Sequence, residues 1–131
     1  MPFQLIPIDE EYNFKFYNDS WLVTLDGKRC QNKELLLNEM ATIFNFPNHF
    51  GQNFDALYDS LENLENTNAT YIFWLIVNPQ FICSDEKNNA PLDTYCQVLR
   101  DVLEEYKTKP TSLNIIADYS FLNKIKPISI G

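Results

Sequence analysis

The segment that most constrains the fold is the apolar run of residues 70–77, with the sequence TYIFWLIV. The run is dense in aromatic and β-branched residues, and polar residues do not alternate with apolar ones along it. Such a run is typical of a strand that is buried on both faces, which is the usual state of strands in parallel sheets. The sequence therefore predicts an α/β fold in which this strand lies in the middle of a parallel sheet.

Two shorter segments also have the composition of strands. Ser20–Asp26 is rich in strand formers and ends at the turn signal Asp26-Gly27, and residues 113–117 form a second short apolar run. Residues 2–19 contain further apolar side chains, which leaves an extra N-terminal edge strand open. We therefore expect a small three-stranded parallel sheet, with a fourth strand at the N-terminus as an open addition.

Three amphipathic helices are predicted between these strands. Asn32 and Asn53 are suitable N-caps for the first two, and Pro91 suits the first turn of the third. The polar residues 78–90 between them indicate a loop with one short helical turn. Because parallel neighbours need crossover connections, the helices are expected to pack against the sheet. Apolar side chains recur at helical spacing at Leu35, Leu36, Met40, Ile43 and Phe44, at Phe54, Leu57, Tyr58, Leu61 and Leu64, and at Tyr95, Val98, Leu99, Val102, Leu103 and Tyr106.

A chain of 131 residues fits one domain. We assign residues 20–118 to it, with an N-terminal extension of residues 1–19 and a C-terminal extension of residues 119–131. The longest apolar run is far shorter than the roughly 20 residues of a membrane span, and the N-terminus lacks the features of a secretion signal. We therefore expect a cytoplasmic protein. Three irregularly spaced cysteines are expected to be reduced, structural thiols: Cys30, Cys83 and Cys96.

The net charge of −8 is confined to one part of the chain. Residues 34–86 contain eight acidic residues and no Lys or Arg, whereas the ten acidic and ten basic residues elsewhere cancel. A field of one sign disfavours nucleic acid or an anionic membrane as a partner, because both require Lys and Arg to neutralise phosphates. It favours a cationic protein partner. On charge alone, an acidic surface that only keeps the protein soluble also stays open.

The acidic residues are concentrated on one face of the second predicted helix. Asp55, Asp59 and Glu62 occur at i, i+4 and i+7, so a helix places all three on the same side. Such like-charge neighbours cost an exposed helix about 0.2–0.5 kcal/mol per pair. Aromatic groups beside carboxylates form a suitable protein-binding surface, in which carboxylates bind Arg and rings supply contact area. The alternative is that Tyr58 belongs to the core and the acids only to solvent. The preceding turn would add His49, Phe50 and Gly51 to the surface.

An enzymatic role is the main alternative class of function. Asp55 and Asp59 are chemically able to act as an acid and a base, or to hold a divalent cation. The rest of such machinery is missing from the sequence. His49 is the only histidine, no cysteine has a partner at a recognisable spacing, and the three glycines do not form a phosphate-binding loop. We therefore predict that the protein is not an enzyme and has no metal site or cofactor.

Residues 46–61, FPNHFGQNFDALYDSL, resemble the signature of the barstar family. Its members are intracellular inhibitors of secreted ribonucleases and immunity proteins of related toxins. The family pattern is an aromatic, Gly-containing turn and then a helix with roughly the residues Asn, Leu, Asp, Ala, Leu, Trp and Asp, whose spacing is intact here. The resemblance extends from about residue 22 to residue 117 and includes the QVLRD stretch of residues 97–101. It implies a barstar-like fold and an inhibitor of a ribonuclease.

The resemblance also implies roles for individual residues. Asp59 would occupy the substrate-phosphate site of the ribonuclease and meet its Arg and His side chains, with Asp55 beside it. Asp101 matches an acidic family position that faces the enzyme. The other implied contact residues are His49, Gly51, Asn53, Tyr58 and Glu105.

Several departures from the family pattern bear on the identity of the partner. His49 stands where Tyr is typical, Tyr58 replaces Trp, and the region after Val77 is longer and more polar. Specificity depends on such contacts at the rim of an interface. The sequence thus predicts a non-enzymatic inhibitor, or immunity protein, for a cationic ribonuclease or related nuclease toxin domain. An immunity protein for a non-nuclease toxin and a general acidic interaction module stay open.

Overall fold

The computed structural model of the protein describes residues 3–7, 19–47, 50–64 and 69–126. Its strands and helices confirm the α/β class and the three strands and three helices predicted from the sequence. A further strand and a further helix are present near the two ends of the chain. In chain order the elements are β1 (Phe3–Pro7), β2 (Ser20–Asp26), α1 (Lys33–Ile43), α2 (Phe54–Glu62), β3 (Tyr71–Val77), α3 (Ala90–Tyr106), β4 (Ser112–Ala117) and α4 (Tyr119–Ile125).

The sheet is parallel throughout and has the strand order β1-β4-β3-β2. β3 lies in its interior, as the apolar run predicts, and Ile72 and Trp74 are fully buried. The predicted number of three strands is corrected to four, because the N-terminal strand left open by the sequence pairs with β4, Leu5 lying opposite Ile115. Its five residues become a strand only through a partner more than 100 residues away, and a local pattern carries no sign of that partner.

Side chains from all four helices join one buried cluster with alternate residues of the strands. Asn32 begins α1 by accepting a hydrogen bond from the Leu35 backbone N–H at 2.8 Å. One predicted core position is wrong, because Leu35 is 45% exposed and Leu37 is buried instead. At 100° per residue, Leu35 lies about 140° around the helix from the buried Met40. On the other face of the sheet, a smaller buried cluster contains Ile6, Phe73 and Ile116.

The polar segment after β3 is bound to the start of α1. It begins with a short 3-10 helix, Pro79–Phe81, at the place where the sequence predicted a helical turn. Backbone hydrogen bonds then join Cys83 to Cys30 and Asp85 to Gln31, both at 2.8 Å. The longer loop therefore becomes part of the surface around α1.

A close backbone approach explains the glycine at the end of β2. A Cβ atom at position 27 would lie 2.0 Å from the carbonyl oxygen of Asn78, so Gly27 is the residue that fits. The Asn78 side chain donates a hydrogen bond to the Asp26 carboxylate at 3.0 Å. This bond, followed by one from the Lys28 backbone N–H, lowers the pKa of Asp26. The ends of β2 and β3 are thereby tied together.

The three cysteines are free and buried, which agrees with the prediction of reduced structural thiols. Burial is the main cause that raises the pKa of the Cys30 thiol to about 12 and that of Cys83 to about 11. Because the thiolate is the reactive form, these side chains act as small apolar groups of the core.

Residues 119–131 were predicted only as an extension, but part of this segment is helix α4. Asp118 caps the helix by accepting a hydrogen bond from the Phe121 N–H at 2.8 Å, and Phe121, Leu122 and Ile125 are buried in the main cluster. The division of the chain at residues 20 and 118 stays a prediction, although β1 and α4 both pack on the sheet. Within the described ranges, no helix has the length and apolar character to cross a membrane.

Candidate functional site

Helices α2 and α3 lie side by side and are joined from below by a buried hydrogen bond. The Tyr106 hydroxyl in the last turn of α3 donates to the Leu61 carbonyl of α2 at 2.7 Å. Leu57, Leu61 and Val98 pack in the same buried cluster. The outer faces of the two helices leave a groove of about 490 Å³ between them.

This α2–α3 groove is defined by side chains from both helices. Five of them are carboxylates, and two apolar side chains and one tyrosine complete the surface. It therefore combines a strong negative charge with aromatic and aliphatic contact area, as expected of a surface that binds basic side chains. The lining residues are Phe54, Asp55, Tyr58, Asp59, Val98, Asp101, Glu104 and Glu105.

The local sequence before α2 places its acidic face. Asn53 accepts a hydrogen bond from the Ala56 N–H at 2.7 Å and donates one to the Gly51 carbonyl at 2.9 Å, so it fixes both the helix start and the turn. Asp55 lies in the first turn, where the helix dipole stabilises a negative charge. Asp59 lies one turn further on, beyond that effect.

The carboxylates of the groove differ in what they bind. Within the ranges that the structure covers, the side chains of Asp55 and Asp59 have no hydrogen bond or ion pair. By contrast, Asp101 accepts a hydrogen bond from the Gln97 amide at 2.8 Å, and Glu104 pairs with Lys107 at 2.9 Å. The two aspartates of α2 are thus among the carboxylates left available to a partner.

Tyr58 connects the two walls of the groove. The side chain is half-buried rather than part of the core, and its hydroxyl lies near the carboxylates of Glu62 on α2 and Glu105 on α3. Desolvation, followed by the negative charges of Glu62 and Glu105, raises the pKa of Tyr58 to about 12. The Tyr58 hydroxyl is therefore neutral at neutral pH, and the side chain adds contact area without charge to the acidic groove.

A row of aromatic rings joins the turn before α2 to the sheet. The Phe44 ring lies 5.0 Å from that of Trp74 and 5.9 Å from that of Phe46, and the Phe46 ring lies 5.1 Å from that of Phe50. Phe50 therefore packs against the main core in the turn that precedes α2. His49 lies outside the described residues, so its predicted contact role stays a prediction.

The structure brings most of the predicted site residues together. Asp55, Tyr58, Asp59, Asp101 and Glu105 line the α2–α3 groove. Glu62 lies near Tyr58, which lines the groove. The turn at the N-terminal end of α2 contains Phe50, Gly51 and Asn53. Three further lining residues were not predicted from the sequence: Phe54, Val98 and Glu104. Glu104 had a usable signal, because it follows Asp101 by three residues on the same helix.

A second groove of about 400 Å³ lies beside the start of α1. Here the Glu86 carboxylate accepts a hydrogen bond from the Lys33 backbone N–H at 2.7 Å, and the Lys33 ammonium lies 5.3 Å from the centre of the Phe54 ring. We call this the α1 groove; its lining residues are Asn32, Lys33, Glu34, Leu37, Gln52 and Glu86. In the part of the chain that the structure describes, no group of three or more His, Cys, Asp or Glu is arranged to hold a metal ion.

The fold and the site define a small parallel α/β protein with an acidic groove between two exposed helices. The family model described as "Barstar (barnase inhibitor)" matches residues 21–118. The chain belongs to the barstar family, which confirms the resemblance seen in residues 46–61. This is a family of inhibitors and not of enzymes, which supports a ribonuclease-inhibitor role at the level of the family.

A relative from Bacillus subtilis (strain 168) has the name "Putative ribonuclease inhibitor YrdF". It is 27% identical over 85 residues, which are 65% of this chain and 88% of the relative. The family match includes both walls of the α2–α3 groove and leaves out β1 and α4.

Proposed function

We propose that the protein is an immunity-type inhibitor that binds a cationic ribonuclease and blocks its active site with the α2–α3 groove and the turn before α2. The observation that carries this proposal is the pair of carboxylates, Asp55 and Asp59, that the fold leaves without a partner among the described residues. They occur in a chain that belongs to a family of ribonuclease inhibitors.

The chemistry of an RNA-cleaving site explains why carboxylates would block it. Such a site binds a phosphate with cationic donors, and a carboxylate presents two acceptor oxygens to the same donors. Asp59 would occupy the phosphate position, with Asp55 one turn away on the same face of α2. Neither side chain has to break a bond within the described part of the protein before it binds, which lowers the cost of association.

The second wall of the groove would contact the rim of the enzyme's site. Asp101 and Glu105 extend the negative surface from α2 onto α3, and the Tyr58 ring supplies contact area between them. The net charge of −8 would also speed the encounter with a basic enzyme. A cytoplasmic location, as predicted from the sequence, would suit protection of the cell that makes the ribonuclease.

An inhibition titration tests this proposal. Increasing amounts of the protein are added to barnase, and to any ribonuclease toxin encoded beside its gene, while RNA cleavage is followed. We expect inhibition that is complete at one molecule per enzyme. Asp59→Ala and Asp59→Lys should lose it progressively. Asp93→Ala is the matched control, because Asp93 is an exposed acid of α3 outside the groove.

Other outcomes would assign the protein differently. Binding that leaves RNA cleavage intact would favour a general acidic interaction module, and neutralisation of a toxin that does not cleave RNA would favour a non-nuclease partner. Full stoichiometric inhibition by both Asp59 variants would contradict the role of that residue. Turnover of a substrate by the protein alone, abolished at Asp55 or Asp59, would instead establish an enzyme.

A further inference from the structure

Helix α4 is connected to the α2–α3 groove through a row of hydrogen bonds. The Lys124 carbonyl, in the last turn of α4, accepts a hydrogen bond from Arg100 of α3. Arg100 also donates to the Gln97 side-chain oxygen at 2.9 Å, and the Gln97 amide nitrogen donates to the Asp101 carboxylate at 2.8 Å. Asp101 lines the groove. An element outside the family match thus reaches a carboxylate of the candidate site.

The chemistry of the groups gives this row a single direction. A guanidinium only donates hydrogen bonds, and an ionised carboxylate only accepts them. The Gln97 side chain has one acceptor and one donor group, so only one orientation of its amide satisfies both neighbours. The carbonyls of the last turn of a helix lack partners within the helix and favour a positive charge nearby. Each bond therefore orients the next group in the row.

The same contacts direct the positive charge of Arg100 away from the groove. Arg100 and Glu104 are four residues apart on α3, a spacing at which Arg and Glu commonly pair on a helix surface. Instead, the guanidinium contacts Lys124 and Gln97, and Glu104 pairs with Lys107. A neutral amide, rather than a cation, thus contacts Asp101. The Asp101 carboxylate is held in position and keeps its negative charge available.

We propose that Gln97 is a positioning residue of the partner-binding surface, which acts by holding the Asp101 carboxylate, and that Arg100 and the end of α4 hold Gln97 in turn. The inference rests on the proposed function and deepens it, because it assigns Asp101 to a basic side chain of the ribonuclease. A carboxylate that is already ordered loses less conformational freedom when it binds. A simple surface hydrogen bond within α3 would have no such effect on binding.

A double-mutant cycle separates these two readings. The dissociation constant for barnase, or for the ribonuclease found to be inhibited, is measured for the wild type, Gln97→Leu, Asp101→Ala and the double variant. We expect Gln97→Leu to weaken binding about fivefold when Asp101 is present and less than about twofold when Asp101 is replaced, because residues in one hydrogen-bond network couple. Gln31→Leu is the matched control: its amide donates to the Lys28 carbonyl at 3.0 Å, outside the α2–α3 groove.

A measurement on the free protein tests the row without any partner. The side-chain amide resonances of Gln97 in a 1H–15N NMR spectrum should shift in both Arg100→Met and Asp101→Ala, while those of Gln31 stay in place. Unchanged Gln97 resonances in both variants would overturn the row itself. Equal effects of Gln97→Leu in the two Asp101 backgrounds, or no effect of Asp101→Ala, would overturn the positioning role while the inhibitor function stands. Absence of any inhibited ribonuclease would overturn the function and the positioning role together.

Discussion

The α2–α3 groove and the α1 groove contain acidic side chains that are used in opposite ways. In the α2–α3 groove, Asp55 and Asp59 have no side-chain partner among the residues described. In the α1 groove, the Glu86 carboxylate binds the Lys33 N–H and so completes the start of a helix. The number of acids on a surface is therefore not sufficient to predict a binding site. The better criterion is whether the fold already occupies them.

The largest expected difference between the two grooves is in the affinity for the ribonuclease. Two double variants change the net charge equally, by two units each. One is Asp55→Asn with Asp59→Asn, and the other is Glu34→Gln with Glu86→Gln. We expect the first pair to weaken binding of the ribonuclease at least about a hundredfold, because a few central residues dominate most interfaces. The second pair should stay within about threefold of the wild type. Dissociation constants measured by calorimetry check this, and equal losses in the two pairs would show that total charge rather than position determines binding.

For folding stability we expect the opposite order, in which a substitution in the α1 groove has a larger effect than one in the α2–α3 groove. Glu86→Ala removes an acceptor from an N–H at the start of α1 and should lower the free energy of unfolding by about 1 kcal/mol. Asp59→Ala removes a like-charge neighbour and a poor helix former, so it should change that free energy by less than about 0.5 kcal/mol or raise it. Urea denaturation of both variants measures this. A loss at Asp59 as large as that at Glu86 would indicate a structural role for Asp59.

Salt should affect the two grooves unequally as well. Electrostatic attraction is screened over about 10 Å at 0.1 M salt, so the association rate with a cationic ribonuclease should fall at least about tenfold from low to high salt. The association rate should depend less steeply on salt concentration in the Asp55/Asp59 double variant than in the Glu34/Glu86 double variant. Stopped-flow rates at several salt concentrations provide the measurement. Identical slopes for both pairs would show that the acids of the two grooves guide the encounter equally.

The last expected effect is a change in folding stability at alkaline pH that depends on Tyr58. Its pKa is raised from 10 to about 12 in the folded protein, so the folded state holds this proton more tightly than the unfolded state does. The resulting contribution to stability is complete below pH 10 and is lost as the pH rises towards 12. The difference in stability between the wild type and Tyr58→Phe should therefore shrink across this range.

Denaturation midpoints at pH 9.5 and pH 12 measure that difference. Tyr119→Phe controls for the loss of a hydroxyl at an exposed position. A constant difference for Tyr58→Phe would show that the folded state does not hold the Tyr58 proton more tightly than the unfolded state does.

Local patterns were sufficient for the elements that carry their own signals. The caps Asn32 and Asn53 and the apolar run of β3 each define an element within a few residues, and the structure confirms them. The spacing of Asp55 and Asp59 similarly showed one acidic helix face. Helix α4 was not predicted because its local signal is weak. Asp118 is a good cap, but the helix is only seven residues long.

The remaining features depend on contacts between distant parts of the chain. Tyr58 and Glu105 are 47 residues apart, so no local pattern shows that the hydroxyl on α2 lies near a carboxylate on α3. The same is true of Lys33 and Glu86. No local pattern shows that an acid of the polar loop accepts a hydrogen bond from the N–H at the start of α1. Both pairings follow from the packing of helices, which sequence periodicity describes only one helix at a time.

The buried bond between Tyr106 and Leu61 has a consequence for the choice of partner. It fixes α2 against α3 beneath the groove, so the distance between Asp59 on one wall and Asp101 on the other is set by the core and not by the ligand. Under the proposed function, a partner would then have to present its basic side chains at a matching separation. Two enzymes of equal positive charge would be distinguished by the spacing of those charges. The groove would then select its partner by geometry as well as by charge.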